Sequence, residues 1–215
     1  MYTPSRFRGS DRQARSLVHD FPFATLITPG TEAPCISHVP LLLLDEREGA
    51  PVGPIRLMGH LARANAHWRA WASPASESVA IFHGPDGYVT PAWYGQNDVP
   101  TWNYAAVHLT GKIHIVDGFP RVREILKSLS DRFESATEPR WSGVLPPDLQ
   151  IERQIMGGIV AFEMEVTRVE AKFKLGQNRP LQDQINTIDG LRARARPGDA
   201  ELAALVEFGI KERSV

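Results

Sequence analysis

The 215-residue chain has a single cysteine, Cys35, so it cannot close an internal disulfide, and a lone thiol fits a reducing compartment. Long apolar runs are also missing. The longest reaches only from Val39 to Leu44, even counting Pro40, far short of the ~18 residues that span a membrane. No apolar segment follows the charged opening MYTPSRFRGSDRQAR, so no secretory leader is expected. Neither sign of charge is in excess: 24 Lys and Arg stand against 25 Asp and Glu, a net charge of −1. DNA as a partner is therefore possible but unsupported by net charge. Three fingerprints are absent as well, the G-x-S-x-G elbow, the P-loop and the dinucleotide G-x-G-x-x-G. These absences predict a soluble, cytoplasmic protein with no membrane contact.

Turn formers, in contrast, are plentiful. Seventeen glycines and 17 prolines in 215 residues exceed the usual combined share of ~12%. A long helical bundle is disfavoured, and a β-rich α+β chain is expected. Ser10 with Gln13 reads as a capping box opening a helix to about His19. Strands are expected at Phe23 to Thr28, at Ala33 to Leu44 with an edge or bulge at Pro40, and at Ile55 to His60. Asp45 to Pro54 reads as a surface loop and Ala62 to Ala72 as a short helix. Gly84-Pro85-Asp86-Gly87 predicts a hairpin turn between Ser78–His83 and Tyr88–Thr90. Val107, Leu109, Ile113 and Ile115 alternate with polar neighbours, the period of a half-buried strand. Phe119 to Phe133 has helical spacing, and Asp148 to Met156 reads as a second helix. Val160, Phe162, Met164 and Val166 share one strand face before the phase moves to Val169, Ala171, Phe173 and Leu175, which predicts a bulge near Thr167-Arg168. Two terminal helices, Leu181 to Arg194 and Asp199 to Glu207, flank Pro197-Gly198. Six to eight strands in a chain of this size suit a small closed or split barrel.

Two segments carry chemistry. Met58-Gly59-His60-Leu61-Ala62-Arg63-Ala64-Asn65 runs from a strand into a helix, where free backbone N–H groups and the helix dipole favour a phosphate. Arg63 adds a bidentate clamp, His60 a donor and Asn65 an amide, although a surface helix start with a solvated arginine has the same residues. Val99-Pro100-Thr101-Trp102-Asn103-Tyr104 places aromatics around an amide, fit to wall a flat ligand, anchor an interface or close a barrel end. No metal is expected: Cys35 and His38 face opposite sides of a regular strand and lack a second pair of ligands. Arg192, Arg194 and Arg196 are compatible with phosphate backbone or with a solvated helix end.

The segments MYTPSRF, FATLIT, SHVPLLL, GHLARAN with Trp68, IFHGPDGYVTPAWY, VPTWNY and KFKLGQNR, in this order over residues 1 to about 180, resemble the PaiB-type FMN-binding family. The resemblance implies an FMN-binding split β-barrel over 1–180, with inserted helices and a C-terminal helical extension over 181–215. It also implies a homodimer with FMN at the subunit interface. Gly59, His60, Arg63 and Asn65 would hold the phosphate, Met58 before them would belong to the same cofactor-binding segment, and Ser37 and His38 would run beside the isoalloxazine. Trp102 and Asn103 would come from the other subunit, and Gln177 lies in the matching C-terminal motif. Ala66-His67 and Gly176 depart from the family pattern, and no helix-turn-helix is legible. The resemblance thus leaves a flavin-dependent negative transcriptional regulator or sensor, an FMN-dependent oxidoreductase, and a haem-handling split-barrel protein as readings.

Overall fold

A computed structural model of the chain describes residues 1–44, 53–72, 76–96, 98–134, 154 and 156–213. The capping box forms as the sequence predicts. Ser10 N donates to Gln13 Oε1 at 2.9 Å and Gln13 N to Ser10 Oγ at 3.2 Å, starting helix α1 (Asp11–Asp20). Strands β1 (Phe23–Thr28) and β2 (Cys35–Pro40) pair antiparallel in the register Thr25↔His38. Next come β3 (Leu42–Leu43), β4 (Arg56–Ala62), β5 (Ser78–Val89), β6 (Thr101–Ile115), α2 (Phe119–Glu134), β7 (Ile159–Lys174), α3 (Leu181–Arg194) and α4 (Asp199–Arg213). Most of the predicted helix at Asp148 to Met156 and most of the loop Asp45 to Pro54 lie outside the described residues, while Gln154 and Met156, at the end of that helix, are helical.

The seven strands form one sheet in the order β2-β1-β5-β6-β7-β4-β3. Strands β2 and β3 are therefore at opposite edges, yet only Leu41 separates them in the chain. Six strand spacings of ~4.8 Å come to about 29 Å, whereas two residues of extended chain reach ~7 Å. The sheet must curl until its edges approach at Leu41, which is fully buried. This is a split barrel. Pro40 ends β2 at the sheet edge, where its missing N–H costs nothing. Gly59 on β4 makes the crossing possible, because a Cβ there would meet Leu41 Cδ2 at 2.6 Å and the Pro40 carbonyl at 3.1 Å.

The chain divides into two compact units, one made of residues 1–17, 82–108 and 169–215, the other of residues 18–81 and 109–168. In the second, Trp71 packs on Phe162 with ring centroids 4.7 Å apart, and Met58 joins Ile125 and Leu129 of α2. In the first, α3 and α4 pack as a pair over Leu191, Leu202 and Val206.

Two sequence expectations fail. Gly84 to Gly87 makes no hairpin, because β5 runs unbroken from Ser78 to Val89. A type I′ turn needs positive φ, found among the described glycines only at Gly118, Gly176 and Gly198. Gly84 and Gly87 instead admit close neighbours: a Cβ would meet Leu17 at 3.0 Å and Leu202 at 2.9 Å respectively. The helix expected at Ala62 to Ala72 is also replaced. Strand β4 continues through Ala62, a turn covers Arg63 and Ala64, and only a 3₁₀ helix follows at Ala66–Ala72. The burial phase of β7 does change across Thr167 and Arg168, from Val160, Phe162 and Met164 to Ala171, Phe173 and Leu175.

Candidate functional site

Ser37 and His38 are neighbours in sequence but point to opposite faces of β2. His38 is exposed, 3.1 Å from Thr25 Oγ1, with its ring stacked on Phe23 at 6.3 Å. Ser37 is buried and belongs to a polar chain assembled from β1, β2, the 3₁₀ helix and β5. Its hydroxyl lies 2.8 Å from His67 Nδ1, and His67 Nε2 lies 2.8 Å from Thr28 Oγ1. Thr28 Oγ1 in turn accepts from Trp71 Nε1 at 3.1 Å and lies 2.6 Å from Ser78 Oγ.

Counting donors and acceptors orients this chain. With the Ser78 hydrogen assigned to Thr28, its partner among the described residues, the rest of the chain is set. Trp71 and Ser78 then fill both lone pairs of Thr28, whose own hydrogen goes to His67 Nε2. In that assignment the imidazole proton sits on Nδ1 and is donated to Ser37 Oγ. Ser37 also accepts from Asn65 Nδ2 at 3.0 Å, and the Asn65 amide is fixed because its Oδ1 accepts from His67 N. Both Ser37 lone pairs are filled. Its hydroxyl hydrogen is left over as a donor that the network does not use. Burial lowers the His67 pKa, which keeps the ring neutral as this arrangement requires.

Arg63 stands at the wall of a second feature, a cavity of about 410 Å³ reached also by Trp68, Gly118, Phe119, Val122 and Met156. Its backbone N donates to Gly158, its Nε to Gly157 and its Nη2 to Ile159, each carbonyl 2.7 or 2.8 Å away. These partners are neutral. The guanidinium is thus held rigidly, and among the described residues no carboxylate is bonded to it. The N-terminus of α2 opens at the same cavity, adding the positive end of its dipole. No α-helix end stands at Ala62 to Ala72, and the helix end at this cavity is that of α2.

The remaining β4 residues divide by use. Met58 packs under α2 and Gly59 receives Leu41, whereas His60 keeps a buried Nδ1 with no partner among the described residues. Burial pushes the His60 pKa down, so this nitrogen belongs to a neutral imidazole. An unpartnered buried ring nitrogen, a surplus hydroxyl donor at Ser37 and an uncancelled cation at Arg63 suit a polar, phosphorylated cofactor.

In the other unit, Trp102 is 55% exposed and meets Tyr88 edge-on at 6.4 Å, while Asn103 is buried. Lys174 Nζ donates to the Trp102 carbonyl at 2.8 Å and also binds Thr101 Oγ1. Burial lowers the Lys174 pKa. Gln177 closes the end of its own strand, accepting from Leu175 N and donating to the Phe173 carbonyl. Arg192 pairs with Glu207 at the surface, and Arg194 grips Asp199 through two nitrogens. Among the described residues, no three His, Cys, Asp or Glu side chains are placed to hold a metal. Sequence reading missed Thr28, Ser78, Lys174 and the start of α2. Only KFKLGQNR carried a signal, and it pointed at Gln177 rather than Lys174.

Residues 1–168 match the family described as "Putative FMN-binding domain". Over 215 aligned residues the chain is 29% identical to the protease synthase and sporulation protein PAI 2 of Bacillus subtilis, covering 99% of this chain and 100% of that protein. Solved structures share the fold. The FAD and heme binding protein of Mycobacterium smegmatis superposes with TM-score 0.58 at 16% identity, over 82% of this chain and 77% of that one. The flavocytochrome Anf3 of Azotobacter vinelandii gives TM-score 0.58 at 16% identity, over 77% and 68%. With the family matched through the whole segment that builds the Ser37 network and the Arg63 cavity, the chain belongs to this FMN-binding family, and its cofactor is FMN.

Proposed function

We propose that this protein is a PaiB-type, flavin-dependent negative regulator or sensor that works as a cytoplasmic homodimer. The full-length kinship with a sporulation and protease-synthesis protein carries the regulatory part of this reading. Arg63 and the α2 N-terminus hold the FMN phosphate, and Ser37 and His60 offer hydrogen bonds to its polar edge. Bound FMN supplies one- and two-electron redox chemistry. The protein's own groups bind and orient it: His67 and Asn65 fix the Ser37 hydroxyl, and the Gly157 to Ile159 carbonyls fix Arg63. A visible spectrum with and without NADPH tests the reading. Flavin bands that bleach slowly fit a sensor; rapid bleaching assigns an FMN-dependent oxidoreductase, and a Soret band assigns haem.

Arg63→Ala is expected to weaken FMN by about 1.5–3 kcal/mol, the range for a hydrogen bond to a charged group, and to leave riboflavin nearly unchanged. Arg63→Lys should fall between, since an ammonium cannot span two acceptors as the planar fork does. Equal losses of FMN and riboflavin in a titration would confine Arg63 to bracing the Gly157–Ile159 backbone.

A dimer would cover the outer face of β1 and β2, where Phe23 is 67% and Ile36 58% exposed. In this reading the exposed Trp102 completes the partner's flavin site, while Asn103, buried in its own protomer, stands behind it. Arg63→Ala and Trp102→Ala chains, colourless alone, should regain yellow flavin when mixed and allowed to exchange subunits. Mixtures that stay colourless while circular dichroism shows intact folds would place both residues in one subunit's site.

A further inference from the structure

The chain is nearly neutral, yet its two ends concentrate positive charge at one place. Arg6, Arg8 and Arg12 from the N-terminal segment and Lys211 and Arg213 from the end of α4 line a cavity of about 720 Å³. Glu212 is the single carboxylate of the lining, which leaves a net charge of four positive. Glu207, outside the lining, pairs with Lys211 at 3.0 Å and reduces this to about three. Arg6, Arg8 and Arg12 make no ion pair among the described residues. Arg213 has a neutral partner, donating Nη2 to Gln184 Oε1 at 2.6 Å.

The arrangement is built. Gln13, held by the α1 capping box, donates to Glu212 Oε2 at 2.6 Å and fastens the start of α1 to the end of α4. The floor is apolar, made by buried Phe173, Leu175 and Gly209, and Phe208 stands at the side 48% exposed. A cationic rim over an apolar floor with an open aromatic ring suits a ligand having a flat heterocycle at one end and several negative charges at the other. The volume falls within the ~300–1,000 Å³ of small-molecule sites. A hollow of this size, open to solvent at its arginine rim, suits a small molecule better than a nucleic-acid backbone, which tracks long grooves. We infer that this cavity binds a nucleoside polyphosphate, with its phosphates on Arg6, Arg8, Arg12 and Arg213 and its base against Phe208. The site lies apart from Ser37, His60 and Arg63 in sequence and adds a ligand input to a flavoprotein without depending on its regulatory role.

The test uses the FMN-loaded protein, with ATP, inorganic tripolyphosphate and adenosine titrated by calorimetry. ATP is expected to bind more tightly than either fragment. Arg8→Glu and Arg12→Glu, both exposed positions, should each weaken ATP and tripolyphosphate at least about tenfold while the flavin spectrum stays unchanged. Phe208→Ala should weaken ATP and spare tripolyphosphate. Three results overturn the inference. The first is no ATP binding at millimolar concentration, and the second is ATP binding indifferent to both arginine changes. The third is duplex DNA binding that both changes abolish while ATP is ignored. Release of FMN by ATP would make the cavity the flavin's own site, a failure of the Arg63 assignment distinguishable from the other three.

Discussion

Gly111→Ala is expected to leave little folded protein. Gly111 lies in β6 beside β7, and a Cβ there would fall on the Glu165 carbonyl, with the Glu165 carbonyl carbon at 2.8 Å and Val166 Cα at 2.9 Å. Every one of these atoms is backbone. No rotamer change relieves the overlap, so the strands must part. Parting them also disturbs β4, which pairs with β7 from Arg56↔Glu165 to Ala62↔Ile159 and positions His60 and Arg63. A loss on the order of 4 kcal/mol or more is expected, at the severe end for one substitution and a large part of a typical 5–15 kcal/mol stability. Gly157→Ala is the control, since among the described residues no heavy atom beyond its chain neighbours lies within 4 Å of its Cβ position. Thermal melts followed by circular dichroism should leave Gly157→Ala within about 0.5 kcal/mol of the parent. A cooperative, parent-like melt for Gly111→Ala would show that β6 and β7 are not this close.

Local signals were read correctly because local physics sets them. Ser10 and Gln13 satisfy each other three residues apart, and Val122, Ile125 and Leu129 bury one face of α2 whatever the rest of the chain does. The Gly84-Pro85-Asp86-Gly87 reading failed because the reason for the glycines is tertiary. They make room for Leu17 and Leu202, which are distant in sequence. The site was legible in the same uneven way. Arg63 announced itself by its setting, but the helix end facing it belongs to α2, and the carbonyls that hold it come from residues 157–159. Ser37 was chosen together with His38, although the strand period already puts them on opposite faces. His67 departs from the family pattern. Its partners Thr28 and Ser37 meet it only through the β1–β2 pairing, which no window of sequence displays.

His67→Phe should cost about 2–5 kcal/mol at pH 7.5, and the cost should shrink in acid. Phenylalanine keeps the tilted contact with Trp71, whose ring centroid is 5.6 Å away, but accepts nothing. The Thr28 hydroxyl, fully buried, then loses its acceptor, and Ser37 loses one of its two donors. Each unsatisfied buried group costs about 1–3 kcal/mol. The pH dependence follows from burial, which lowers the pKa of His67, His60 and His108 below the ordinary 6.5 in the fold. Between the lowered folded values and 6.5, the unfolded chain binds protons that the folded chain does not. Stability is therefore full above about pH 6.5 and falls as the pH drops through that window. The parent loses stability through three such histidines and His67→Phe through two, so their denaturation curves in urea should converge between pH 7.5 and pH 5. Nitrogen NMR of the parent should find the His67 proton on Nδ1 throughout the neutral range. A proton on Nε2 would reverse the direction of the chain and take the free hydrogen from Ser37. A gap between the two proteins that stays constant with pH would mean that the buried imidazole is not held neutral by the fold.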